Sequence, residues 1–163
     1  MIKKAYPLAV EYSKAIVNGC LERNLEINTN KLEQLLILMQ GKMLTENGRP
    51  LFTNNIVATK TRVYIPDVDK AFVEYAVGCH EKQCETVSFL DDELEVVEET
   101  LDWYAEIGPE FLENNTYLKF LDQKALKTTK SEQQVVPNEF IENVFLFSPE
   151  YLQSCMAQDE KCC

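Results

Sequence analysis

Between Asn30 and Thr45, Leu32, Leu35, Leu36, Met39, Met43 and Leu44 recur at helical spacing, and Ile37 and Leu38 widen that stripe almost all the way round. A helix that is apolar on nearly every side cannot rest on a surface and has to run through the middle of a fold. The rest of the 163 residues must supply elements to cover it. Asn30 followed by Glu33 has the form of a capping box and sets the expected start of this helix.

The punctuation agrees with a helical domain. Gly48, Gly78 and Gly108 stand where periodic segments stop, and most of the six prolines stand where one could begin. Leu8, Ala9, Tyr12, Ala15, Ile16 and Cys20 predict a first helix over about 7–22. After the turn at 46–50, Ile56-Val57-Ala58 and Arg62-Val63-Tyr64-Ile65 are short and rich in β-branched residues, and read as a small β-ribbon around residues 56–65. Pro66 opens a third helix with Val68, Ala71, Phe72, Tyr75 and Ala76 inward. A further amphipathic helix over about 91–107 puts Leu94, Val97, Leu101 and Tyr104 on its apolar side. Phe111-Leu112 and then Leu118, Leu121 and Ala125 suggest one or two more. Thr128–Gln134 is polar and reads as a mobile loop. Val136-Pro137-Asn138-Glu139 opens a helix carrying Phe140, Ile141, Val144 and Phe145. The expected fold is mainly α: a compact single-domain helical bundle over 1–147, with 148–163 as a C-terminal tail in which Ser148-Pro149-Glu150 begins a short helix.

A chain of this length buries enough surface to fold without a metal or a disulfide. It has no continuous apolar run of signal-peptide or membrane-span type, so a cytoplasmic protein with reduced cysteines is expected. The net charge of −11 excludes direct duplex binding, which draws its affinity from Lys and Arg against phosphate. That charge is uneven. Residues 1–65 carry nine Lys+Arg against five Asp+Glu (+4), and residues 66–163 carry seven against twenty-two (−15).

Few residues suggest chemistry. His80 is the only histidine, so no catalytic constellation with a second one can form. Cys79, His80 and Cys84 would need a second ligand pair to hold zinc, and the vicinal Cys162-Cys163 at the chain end make a poor chelate. Neighbouring side chains on a helix do not face each other, which argues against a nucleophile at Cys79 activated by His80. No catalytic residue, metal or cofactor is expected. Cys20 and Cys79 read as small buried hydrophobes. The sharpest local feature is the stretch from Asp91 to Glu99, with six carboxylates in nine residues. It reads as a solvated helix face, as a surface imitating the phosphates of nucleic acid, or as a divalent-cation site. Tyr64, Tyr75, Trp103, Tyr104 and Tyr117 read as core. Exposure of one of them would mark a contact surface instead, because Trp and Tyr favour binding hot spots.

The segment from Asn30 to about Asp69 resembles the signature region of the Panacea domain family, which includes SocA-like antitoxins and many phage-associated proteins. Lys31, Leu32, Leu35, Leu36, Gln40, Gly41 and Leu44 match the family's central helix. Gly48, Pro50, Leu51 and Phe52 match its Gly-x-Pro-Leu-Phe turn, and Ala58, Pro66 and Val68 match the positions that follow. The family's polar and aromatic positions differ: Gln34 replaces a lysine, Ile37 and Leu38 replace tyrosines, Thr59 replaces a tryptophan, and Thr61-Arg62-Val63 replaces Tyr-Gly-Pro. The resemblance implies a helical domain with a small ribbon. It also implies a non-catalytic protein that binds and neutralises a toxin, as family members do, some of them handing the toxin to a protease. The alternative is a phage-type inhibitor of a defence nuclease, acting through an acidic face that mimics nucleic acid. Both readings call for a protein partner and no membrane. Asp91, Asp92, Glu95, Glu98 and Glu99, with Arg62 and Tyr64, are the candidate partner-binding residues.

Overall fold

A computed structural model describes residues 8–59, 62–79, 85–108, 115–128 and 133–161, less the side chains of 73–79, 122, 124–128 and 158–161. Its helices are α1 (Ala9–Glu22), α2 (Thr29–Asn47), α3 (Pro66–Cys79), α4 (Asp91–Tyr104), α5 (Thr116–Thr128), α6 (Asn138–Leu146) and α7 (Pro149–Lys161). Three short strands, β1 (Ile56–Ala58), β2 (Val63–Tyr64) and β3 (Gln134–Val136), complete the described elements. The fold is mainly α with a small antiparallel sheet, as the periodicity and punctuation predict. No helix among the described residues is long and apolar enough to cross a membrane.

α2 is the hub, in contact with α1, α3, α4, α5, α6 and β2. Leu32, Leu35, Leu36, Ile37, Leu38, Met39, Met43 and Leu44 are all buried, so the apolar girdle is covered on every side. Its start differs from the expected capping box. The cap is Asn28, whose side chain accepts from the Lys31 N–H at 2.8 Å, and the helix begins at Thr29. Glu33 is drawn away to another element, described below. At the far end Gly48 adopts φ 69°, and its N–H returns to the Leu44 carbonyl at 3.2 Å.

The turn after α2 is held from within the helix. Gln40 is 1% exposed. Its Oε1 accepts from the Leu51 and Phe52 N–H groups at 2.8 and 3.2 Å, and its Nε2 donates to the Phe52 carbonyl at 2.9 Å. A further bond from Nε2 reaches Asn138 Oδ1 at 3.3 Å, at the first turn of α6. Leu51 and Phe52 are thereby driven fully into the core. The positions shared with the family signature thus have structural work in this chain: Leu32, Leu35 and Leu36 pack, Gln40 ties down the turn at Pro50, Ala58 lies buried in β1, and Pro66 starts α3.

The ribbon forms where expected, with Val57 opposite Tyr64 and Ala58 opposite Val63. The third strand corrects the sequence reading. Gln134 to Val136, read as the end of a polar loop and the opening of a helix, pairs antiparallel with β1, Val135 opposite Val57. Only Val136 of this strand is buried, so it carries almost no apolar alternation to betray it.

α4 lies against α1 and α2, but its inward face is rotated from the expected one. Val96, Val97, Thr100 and Leu101 face in together with Glu93, while Leu94 is 43% exposed. After Pro149 the chain forms a helix of 13 residues, and Leu152 joins the common core.

Gly41 sits where α6 comes closest to α2. A Cβ built there would lie 2.4–2.6 Å from three ring atoms of Phe145, itself stacked on Tyr117. Gly41→Ala is expected to destabilise the fold by about 1–3 kcal/mol in urea unfolding, because overpacking forces a well-seated ring to move. Gly108→Ala, which meets nothing within 4 Å, is the control and should change stability by under about 0.5 kcal/mol.

Candidate partner-binding groove

Trp103 is 64% exposed, although the sequence reading placed it in the core. The rotation of α4 explains the error. Val97, Leu101 and Ala105 follow one another inward at four-residue spacing, whereas Trp103 follows Glu95 and Glu99 on the outer side.

Trp103 edges a groove of roughly 150 Å³. The floor is made by Leu38 of α2, Thr100 and Tyr104 of α4, Tyr117 of α5 and Phe145 of α6. Tyr117 and Phe145 stack at 4.7 Å, so one aromatic wall is already rigid. The rim is polar. Lys42 Nζ sits 5.0 Å from the centre of the Trp103 ring and bonds to Glu99 at 2.6 Å and Glu46 at 3.0 Å. An apolar floor inside a charged rim, with an exposed tryptophan at the edge, is the usual composition of a protein contact.

The acidic stretch reaches this groove only in part. Glu99 lines it. Glu95 precedes Glu99 by one turn, exposed and in no ion pair among the described residues. The other acids are largely engaged with cations from the first third of the chain. Arg23 pairs with Glu98 at 3.4 Å and Asp102 at 2.8 Å, while also donating to the Gly19 carbonyl at the end of α1. Arg49 pairs with Asp92 at 2.5 Å and approaches the buried Glu93 at 3.5 Å. The Arg49 guanidinium holds Asp92 below the usual carboxylate range. Asp91 is exposed at the start of α4.

Arg62 and Tyr64 belong to a different cluster. The Arg62 guanidinium lies 4.2 Å from the Tyr64 ring centre and pairs with Asp69 of α3 at 2.6 Å. Tyr64 Oη accepts from Gln133 Nε2 at 3.1 Å. Beneath them lies Glu33 of α2, 2% exposed, which accepts from the Ile65 N–H at 2.6 Å and stands 4.0 Å from Arg62. The expected contact residues therefore fall into two sets, one facing the start of α2 and one facing its middle and end. Lys42, Glu46, Tyr117 and Phe145 enter the site unforeseen, because their convergence depends on how four helices pack.

Cys20 is buried, and that burial pushes its thiol upward. His80, Cys84 and the Cys162-Cys163 pair, like the Cys79 side chain and the 109–114 segment, lie outside the described residues. Among the described residues no group of three His, Cys, Asp or Glu side chains is placed to hold a metal.

In comparisons with known proteins, no family model, no curated protein and no solved structure matches this chain.

Burial, followed by the neighbouring Asp69, pushes Glu33 from an ordinary value of 4.5 up to about 8. The folded state keeps a proton that the unfolded chain has already released. The stability this supplies is complete below about pH 4.5 and is lost as the pH rises through about 8. Glu33→Gln keeps an acceptor for Ile65 and has no proton to lose. Its melting temperature is expected to gain on that of the wild type steadily across this window, as read by thermal denaturation at a series of pH values. A constant difference would show that Glu33 is ionised in the fold.

Proposed function

We propose that this protein is a non-catalytic binding module of antitoxin type that neutralises a partner toxin by holding it at the Trp103 groove. The observation that carries the reading is the exposure of Trp103 beside an apolar floor, because tryptophan is among the residues enriched at the energetic centres of protein contacts. The resemblance over residues 30–69 supplies the kind of partner. It rests on those residues alone, and the positions it shares are ones this fold needs: the Gln40 tie, the Leu51-Phe52 turn and the packed leucines.

The nucleic-acid decoy is the weaker reading. A phosphate mimic needs unneutralised carboxylates in register, and Asp92, Glu98, Glu99 and Asp102 are each engaged by a cation of the same chain.

Co-expression with the toxic product of the neighbouring reading frame is expected to rescue growth, and the two proteins should co-purify. Trp103→Ala should retain the wild-type melting temperature to within about 2 °C, since an exposed side chain contributes little to folding, yet lose the rescue. Absence of both rescue and co-purification with the wild-type chain would overturn the antitoxin reading.

A further inference from the structure

We infer that the Trp103 groove takes a basic amphipathic helix of the partner, seating one large apolar side chain on the aromatic floor with Lys or Arg on either side of it. The inference deepens the antitoxin reading and rests on it for the biological partner, but its physical basis is separate.

Shape gives the first half. The groove runs where α2 and α4 meet α5 and α6, and its floor of Leu38, Tyr104, Tyr117 and Phe145 is apolar. A trough between helices is the ordinary receptacle for an amphipathic helix, which lays its anchors in at i, i+3 and i+4 spacing.

Charge gives the second half. Lys42 is the one cation among the described residues that line the groove. It is mostly covered and is held by both Glu46 and Glu99, so it presents little free positive charge. On the α4 side Glu95 and Glu99 precede Trp103 at successive four-residue steps, which places all three on one flank of the helix. Glu95 is exposed and in no ion pair among the described residues, and Glu46 is half exposed on the opposite rim. The described rim therefore carries two carboxylates, Glu46 and Glu99, against one lysine, and Glu95 adds to the excess on the α4 bank. An approaching Lys or Arg finds carboxylates there whose charge Lys42 only partly offsets, whereas an acidic segment meets repulsion from the α4 bank. Trp103 offers a further site for a guanidinium on the ring face that Lys42 does not cover.

Trp103 is also the only tryptophan in the chain, so its emission reports on the groove alone. The test uses the full chain and two labelled amphipathic helical peptides of identical Leu pattern, one with Lys at every polar position and one with Glu. The Leu/Lys peptide is expected to bind saturably, shift Trp103 emission to the blue as the ring leaves water, and weaken by roughly tenfold between 50 and 200 mM salt. The Leu/Glu peptide should not bind. Glu95→Lys should weaken the Leu/Lys peptide by about fivefold or more, since it removes one exposed carboxylate and sets a positive charge one turn from Glu99. Trp103→Ala should weaken it similarly by anisotropy.

Binding of both peptides alike, preference for the Leu/Glu peptide, or Leu/Lys binding that leaves Trp103 emission unmoved would each overturn the inference. Concentration-dependent dimerisation by light scattering that shields Trp103 would also overturn it, since a second copy would then be the occupant. Failure of the toxin reading looks different: the Leu/Lys peptide binds as described, but co-expression gives no rescue.

Discussion

Burial of the apolar girdle of α2 is the condition on which the other elements depend, and the buried polar residues of that helix decide where those elements go. A purely apolar hub would accept neighbours in many rotations. Three buried polar side chains on α2 remove that freedom, because each must find a partner and an unpaired one would cost about 1–3 kcal/mol. Lys31 donates to the Ala105 carbonyl at the end of α4, where a helix presents its negative pole. Glu33 holds the chain at Ile65 as it leaves β2 for α3. Gln40 binds the 51–52 turn and touches the start of α6. One helix thereby sets the position of four other segments through groups that can each be satisfied in only one arrangement.

This division of labour also explains what could be read from the sequence. Hydrophobic spacing found α1, α2 and the central part of α4, and Pro and Gly marked the starts and stops well. It did not fix the rotation of α4, because Leu94, Val96 and Val97 are equally apolar. Lys31 and Glu93 choose between the possible faces, and partnership of a buried charge is a tertiary property. The same limit hid β3, whose pairing with β1 uses backbone groups and leaves Gln134 and Val135 facing outward. It also misled at the start of α2, where Glu33 had a better acceptor role at Ile65 than in a capping box. The N-terminus of α1 shows the effect from the other side. Its Ala9 N–H is capped by Asn54 from 45 residues away, which no local pattern reveals.

The charge asymmetry changes meaning in the same light. The basic excess of the first 65 residues and the acidic excess of the remainder are partly one internal arrangement, with Arg23, Lys42 and Arg49 laid along α4. Ion pairs this exposed contribute only about 0.2–1 kcal/mol each, too little to hold a bundle together. Their effect is better described as compensation of charge. They keep a helix rich in carboxylates from being repelled by the rest of an acidic protein.

The outward side of α4 then follows from the inward one. Once Val97, Leu101 and Ala105 are committed to the core, the same helical geometry must place Trp103 with Glu95 and Glu99 in solvent. Folding alone gives no reason for a tryptophan there. A glutamate or lysine would serve the surface better, and the ring forgoes the large gain available to a buried aromatic. Its position is costly only if nothing ever covers it. Lys42 reduces that cost by lying over one face of the ring, and Glu99 and Glu46 hold Lys42 in place to do so. The rim is therefore ordered before any partner arrives. A prepared rim forfeits less side-chain freedom on binding than a mobile one, at about 0.5–1.5 kcal/mol for each side chain already held. Three such side chains around one groove are enough to separate a specific contact from an incidental one.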